Sequence, residues 1–381
     1  MKRIKVLQLQ PDYNVKQHDF ADLAEQIILT LPADEYETVS AFLSGKAASD
    51  QPESRAERSV YFSFSSRQLK GLRVRALWQL YSLCRAEQFD VIIANRFKPI
   101  SMLLLLSRWF PRTGFIGIVH GFGDFERSYR QRQVQRLAGP NWKFVGVSPA
   151  VRQHLLDYQR GFTEANTIAI TNAIDVDKAL GLQLQRPEAR RRLHLPAEAT
   201  LVGVVGRLVP VKGHDILLKA FAALKDRYPD THVVIIGEGR ERPRLERLIA
   251  ELNLTGRVHL PGFVPDALQY VRAFDIWAMP SLSEGLGLAL LEGMCGALPV
   301  IASDVPAMQP LIEGAGGLAV KPGDVGSLQQ ALDTYLALSA DERRAKGEAA
   351  FAYVRASHSI SEYRGAYKRL VDVMAQFSSS R

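Results

Sequence analysis

TLVGVVGRLVPVKGHDILLKAFAALKDRYPDTHVVIIGEG, residues 200–239, reads as strand, helix, strand. TLVGVVGRL and THVVIIGEG are short β-branched runs ending in glycine turns, and HDILLKAFAALKDRY between them has a helical pattern. A helical crossover returns the chain to the same end of a sheet, so the two strands run parallel. Downstream the alternation continues through ERPRLERLIAELNL, VHLPGFV, DALQYVRAFD, IWAMPS, a helix after Gly287 and LPVIAS. Upstream it recurs as IKVLQLQ (4–10), ADLAEQIILTL, ETVSAFL, FDVIIAN (89–95), a helix over 100–110, TGFIGIVHG and KFVGVSPAVRQHLLDY. Strands alternating with helices predict an α/β fold of two doubly wound, Rossmann-like domains. The expected bounds are 1–190 and 191–357, with the final helical pattern, 358–381, packing back on the first domain. The polar run 44–60 is expected to be a surface loop.

With 381 residues the chain is long enough for two cores, and 47% hydrophobic with 23% charged residues is a globular composition. Neither MKRIKVLQLQ nor the apolar run Ile100–Leu106 is long enough for a signal peptide or a membrane span, so a cytoplasmic protein is expected. Cys84 and Cys295 show no metal-ligand or CxxC spacing and read as reduced, buried residues; no metal and no cofactor are expected. The net charge of +8 is uneven: residues 1–192 hold 28 Lys+Arg against 19 Asp+Glu, the remainder 20 against 21. A basic first half fits an anionic lipid, a phosphorylated glycan or nucleic acid. No helix-turn-helix, RRM or zinc pattern supports nucleic acid.

Two segments carry chemistry. GRLVPVKG, 206–213, lies between a strand and a helix and sets Arg207 and Lys212 around a flexible turn. Two lasting cations beside a helix N-terminus suit a diphosphate and the charge it gains on leaving; the plainer alternative is a strand-to-helix loop with two solvated cations. PSLSEGLGLALLEGMCGALPVIASDVP, 280–306, sets Glu284 and Glu292 on either side of a Gly-rich turn that enters an apolar helix. Gly285 and Gly287 let the backbone approach a ligand, and free amides at the helix N-terminus suit an anion or a sugar hydroxyl. Eight helical residues separate the carboxylates' backbones by roughly 12 Å, wider than the close acid and base pair of a glycosidase and suited to two ends of one ligand.

With both segments in register, the chain resembles the retaining nucleotide-sugar glycosyltransferases of the GT-B fold, glycosyltransferase 4 type. GRLVPVKG, VVIIGEGRERPRLE, VHLPGFV, FDIWAMPSLSEGLGLALLEGMCGALPVIAS and the PGD of 322–324 follow the family's order. The resemblance implies Arg207 and Lys212 on the donor diphosphate, Glu292 on the ribose hydroxyls and Glu284 on the donor sugar. It also implies the amides of Gly285, Leu286 and Gly287 facing sugar and phosphate, and Gly262, Phe263 and Val264 lining the base. His120, in VHGFGD at a strand end, matches the family's histidine near the reacting centre; Gly237 and Gly239 read as structural. Ser148, Asn172 and Asp175 read as loop and helix-cap residues.

The family's paired glycines after the first strand are missing. PDYNVKQHDF stands there, with Asn14 and Val15 at the glycine positions and Lys16, Gln17, His18 and Asp19 as candidate acceptor contacts. Its Gln and Asp-Phe pair resemble the lipopolysaccharide-core glucosyltransferases. A helix over 67–85 is expected to bury Leu69, Leu72, Leu77, Leu80, Tyr81 and Cys84 and to expose a cationic face, either as an ordinary sheet-covering helix or as a contact with anionic lipid or a phosphorylated acceptor.

The reading implied is a metal-independent retaining hexosyltransferase acting across a cleft. Its donor would be UDP-glucose or a related UDP-hexose, and its acceptor a glycan or glycolipid such as a phosphorylated lipopolysaccharide core, with peripheral contact at the inner face of the cytoplasmic membrane. The alternatives are a nucleotide-sugar epimerase or hydrolase and a non-catalytic nucleotide-sugar binding protein.

Overall fold

The computed structural model describes residues 2–16, 22–48 and 51–379. Gln17, His18 and Asp19, three of the candidate acceptor contacts, lie outside them. The chain divides into two compact units, Met1–Asn172 with Ser361–Arg381, and Ala173–Ile360.

The first unit is built on β1 (Ile4–Gln10), β2 (Tyr36–Phe42), β3 (Arg58–Tyr61), β4 (Val91–Asn95), β5 (Gly114–Val119), β6 (Trp142–Gly146) and β7 (Thr167–Ala169). They form one parallel sheet in the order β3-β2-β1-β4-β5-β6-β7. Strands β4 and β5 are buried along their whole length, as continuous apolar runs in a sheet covered on both faces must be. The 44–60 run is not loop throughout: its end forms β3, which adds to β2 in register Val39 to Arg58. Within it Ser54 is buried, donating to Glu25 Oε2 at 3.1 Å. A polar composition hid this edge, because it lies at the rim of the sheet, where Arg58 stays exposed while pairing with Glu87 at 2.7 Å.

The expected 67–85 helix begins later, as α2 (Val74–Glu87). Gly71 at φ 63° and Arg73 at φ 53° occupy the left-handed region, which no right-handed helix can include, so the preceding residues turn instead. Leu72, expected in the core, is therefore 85% exposed, while Leu80 and Cys84 are buried. Helices α3 (Phe97–Leu106) and α4 (Ser128–Leu137) follow β4 and β5. The last helix, α14 (Ile360–Ser379), packs in this unit: Tyr363 donates to Leu23 O at 3.0 Å, Lys368 pairs with Glu35 at 3.0 Å, and Tyr367 and Met374 are fully buried.

The second unit holds β8 (Thr200–Val205), β9 (Thr231–Ile236), β10 (Val258–Gly262), β11 (Ile276–Met279), β12 (Val300–Ser303) and β13 (Leu318–Val320), parallel in the order β10-β9-β8-β11-β12-β13. Its core joins Val202, Val204, Val233 and Ile235 of the sheet to Leu217, Leu218 and Phe221 of α8 (His214–Ala222). Residues 173–190 belong to this unit and not to the first, because Arg190 is bound into it. Its guanidinium, 3% exposed, pairs with Asp275 at 2.8 Å and donates to Ala273 O, Ala197 O and Ala199 O. Among the described residues no helix is long and apolar enough to cross a membrane.

Candidate functional site

In the second unit the strand order reverses between β8 and β11, and ligands of doubly wound sheets bind outside the carboxyl ends of strands at such a switch point. The loop 206–213 leaves β8, and the loop 280–287 leaves β11. Adjacent strands therefore bring together two segments more than seventy residues apart.

The loops are joined through backbone and side chain. Leu282 donates to Val211 O at 2.7 Å. Gly213, at φ 66°, lies so close to Pro280 that an added Cβ would stand 2.1 Å from its carbonyl oxygen. Glycine is thus required there twice over, by conformation and by space. Lys212 Nζ meets Glu284 Oε1 at 2.5 Å, with the side chains 19% and 13% exposed. An ammonium has three donors and no acceptor, so the pair leaves Lys212 two N–H groups for another acceptor. Arg207 is exposed at the start of the same loop. Beneath it His214, 3% exposed, sets Nε2 at 3.1 Å from Arg207 O. A carbonyl only accepts, so Nε2 carries the proton; burial lowers the imidazole pKa and keeps the ring neutral. In the sequence His214 is one polar residue at a helix start; only the loop's path reveals its hold on the Arg207 carbonyl.

The Gly-rich turn enters α10 (Leu288–Cys295) with Gly287 as N-cap at φ 95° and no side chain capping the helix. A Cβ on Gly287 would also meet Met308 at 3.1 Å. Leu290, Leu291 and Met294 are fully buried, and Gly293 lies against the Trp277 ring of β11, where a Cβ would come within 2.5 Å. That contact fixes the helix on the sheet and leaves Glu292 half-buried in its second turn. Leu286 is buried, whereas Gly285 is half-buried. Gly262 ends β10 and accepts from Gly237 N at 2.9 Å, Phe263 is 74% exposed and Val264 is half-buried. Gly237 and Gly239 press on the 206–208 backbone: Leu208 N donates to Glu238 O at 2.9 Å, and neither glycine has room for a Cβ. The structure thus brings Arg207, Lys212 and Glu284 together on the joined loops after β8 and β11, with Gly285, Leu286 and Gly287 following in the second loop, Glu292 in the second turn of α10, and Gly262, Phe263 and Val264 at the end of β10, two strands from β8.

His120 belongs to the first unit, at the end of β5. Its Nε2 lies 3.1 Å from Asn95 Oδ1 at the end of β4, and its backbone N–H donates to Asp124 Oδ2 at 3.1 Å. Burial, with the Arg96 cation adding to it, pushes the imidazole down to about 3, so the ring is neutral at pH 7. Arg96 has φ 67° and ψ 168°, an uncommon conformation for a residue with a side chain. Arg130 lies 4.1 Å from the Phe97 ring centroid and donates to Asp124 O at 2.8 Å. Asn95 and Arg96, at the end of β4, and Arg130, on α4, are thus part of the His120 surroundings; the strand-end position is a sequence signal for the first two, and Arg130 has none. Ser148 and Asp175 accept from Val151 N and Lys178 N as helix N-caps; Asn172 is buried. Among the described residues no cluster of three His, Cys, Asp or Glu side chains is placed to hold a metal ion.

Comparison with known proteins agrees with this architecture. Residues 25–178 match the pattern of Glycosyltransferase Family 4, and residues 185–352 that of Glycosyl transferases group 1. A D-inositol 3-phosphate glycosyltransferase of Corynebacterium urealyticum is 34% identical over 49% of this chain and 47% of its own. The lipopolysaccharide core biosynthesis glycosyltransferase LpsE of Rhizobium meliloti is 32% identical over 39% and 43%. The chain thus spans less than half the length of these curated relatives. In fold, it is similar to a glycosyltransferase from Rickettsia africae (TM-score 0.82, 19% identity, 100% of each chain covered). It is also similar to Anabaena HepE in complex with UDP and glucose (TM-score 0.79, 20% identity, 97% and 100% covered). Two parallel Rossmann-like units with these loops define a GT-B architecture. The chain belongs to the GT-B glycosyltransferases of the glycosyltransferase 4 type.

Proposed function

We propose that this protein transfers a hexosyl unit, with retention and without a metal, from a nucleoside diphosphate sugar to a glycan or glycolipid acceptor. The observation that carries the reading is the Lys212–Glu284 pair beside Arg207, where the β8 and β11 loops meet. A cation with two remaining donors, a second exposed cation and the uncapped α10 N-terminus suit a diphosphate. A carboxylate and the Glu292 carboxylate suit hydroxyls of the sugar and of a ribose. Gly262, Phe263 and Val264 are assigned to the base.

In the reaction, negative charge develops on the departing diphosphate as the glycosidic bond breaks. Arg207, Lys212 and the Gly285–Gly287 amides stabilise it, and removing one such donor costs about a hundredfold or more in rate. The acceptor oxygen bonds to the anomeric carbon on the face the phosphate leaves, and the phosphate oxygen takes the acceptor's proton. His120, neutral, is assigned a hydrogen bond to the transferred sugar. UDP-glucose or a related UDP-hexose is the donor proposed, supported by HepE, whose structure holds UDP and glucose. A phosphorylated lipopolysaccharide core is the acceptor proposed. The similarity to LpsE and the basic first half support it. We assign donor binding to the second unit and acceptor binding to the first.

Calorimetry with UDP and GDP, followed by mass spectrometry of products from UDP- and GDP-sugars with truncated core glycans, tests this. A hexose added to a glycan supports it. Acceptor-independent release of UDP or a new sugar nucleotide would show a hydrolase or an epimerase, and UDP binding without turnover a sensor.

A further inference from the structure

The helical face of the first unit carries an apolar groove and an arginine-lined pocket that meet at Leu105. The groove, about 490 Å³, runs between Trp78 and Tyr81 of α2 and Leu106 and Trp109 at the end of α3. Trp78 and Trp109 are 66% and 62% exposed, an unusual state for two large rings that lie on one surface. The pocket, about 530 Å³, is lined by Arg73, Tyr129, Arg132 and Arg136, with no carboxylate among its lining residues. Arg73 is held in place: it donates to Ser101 Oγ at 3.3 Å, and Ser101 is braced by Gln133 at 2.9 Å. Three like charges around one hollow repel one another unless an anion joins them. The sequence extends the asymmetry, since residues 67–85 hold five Lys or Arg and residues 96–112 four, with no Asp or Glu in either stretch.

Apolar aromatic rings beside unopposed cations match the boundary between lipid headgroups and acyl chains, where indoles settle and basic side chains meet phosphate. We propose that this face docks on an anionic bilayer, with a lipid phosphate in the Arg73, Arg132 and Arg136 pocket and Trp78 and Trp109 seated at the acyl boundary. The groove supplies hydrocarbon contact and the pocket supplies headgroup charge, which is why the two adjoin. This deepens the reading of a membrane-held acceptor by naming the surface and the lipid chemistry. Vesicle binding is measured without turnover, so its failure is distinct from failure of the sugar-transfer reading.

The test is co-sedimentation with phosphatidylcholine vesicles, with and without phosphatidylglycerol, over a range of salt, read together with tryptophan emission. The chain has four tryptophans, and Trp142 and Trp277 are buried, so a change in emission reports on Trp78 and Trp109. Binding to the anionic vesicles only, weakened by salt and accompanied by a blue shift, is expected. Arg132→Glu with Arg136→Glu should weaken it by at least about tenfold, on roughly 1 kcal/mol per basic side chain. Trp78→Ala with Trp109→Ala should abolish the blue shift and weaken binding. All four positions are exposed, and unchanged thermal unfolding checks that each variant folds. Equal binding to neutral and anionic vesicles, absence of binding, or wild-type binding by both variants overturns the proposal. So does saturation by inorganic phosphate in a protein that ignores vesicles, which would mark a site for a soluble anion.

Discussion

Replacing Lys212 by Met separates the two roles that the structure gives this side chain. Its ammonium lies 2.5 Å from Glu284, and both side chains are less than one-fifth exposed. Breaking a fully buried pair costs about 3–5 kcal/mol because it strands a charge, and a fully exposed one is worth about 0–1. At this exposure Lys212→Met should cost roughly 2–3 kcal/mol in unfolding of the second unit. Glu284→Gln should then restore much of that loss, because a neutral amide beside Met needs no counter-charge. Urea unfolding of wild type, both single variants and the double variant gives the coupling energy, expected above about 1.5 kcal/mol. UDP affinity, by calorimetry, should behave differently. Losing one charge-assisted donor costs about 1.5–3 kcal/mol, or roughly ten- to a hundredfold in Kd, and the double variant should not recover it. Additive stabilities within about 0.5 kcal/mol would refute the buried-pair argument. Recovery of UDP affinity in the double variant would refute a direct role for Lys212 at the phosphates.

Gly213→Ala should destabilise the second unit by more than the roughly 1 kcal/mol of an ordinary left-handed alanine, since its Cβ meets Pro280 O, and a fall in UDP affinity should accompany the lower melting temperature. The His120 pKa is depressed in the fold to about 3 from 6.5, so between those values the unfolded chain binds the extra proton. Stability from this residue is therefore lost as pH falls from 6.5 towards 3, and unfolding of His120→Asn across that range should show a shallower pH slope than wild type. Asn95→Asp sets a carboxylate at His120 Nε2 and should raise the imidazole pKa, measured by NMR titration; an unmoved value would show that Asn95 does not touch the ring. Glu25 is raised by burial, so its contribution is largest at low pH and falls as pH rises through its folded pKa; Glu25→Gln should leave stability unchanged or higher at neutral pH in denaturant unfolding.

Much of this protein was legible because its signals are local. Alternating β-branched runs and helical patterns fix parallel α/β layers through neighbouring residues alone, and Gly213 and Gly287 mark turns that only glycine can make. A local signal fails where a distant partner or the backbone's own conformation overrides it. The 44–60 run is polar, yet Ser54 is buried against Glu25 and its end completes the sheet as β3. The 67–85 stretch has helical spacing, but the left-handed Gly71 and Arg73 delay the helix to Val74. Residues 173–190 follow the second unit because Arg190 binds Asp275, eighty-five residues onward.

By itself the sequence determined which residue types stand at strand ends, and so the kind of chemistry this chain can support. Only the tertiary structure decided which of them meet: Lys212 with Glu284, His120 with Asn95, and Arg73 with Arg132 and Arg136 around one pocket. Strand order makes those pairings, and it is set by burial summed over whole sheets, a quantity that no short window of sequence contains.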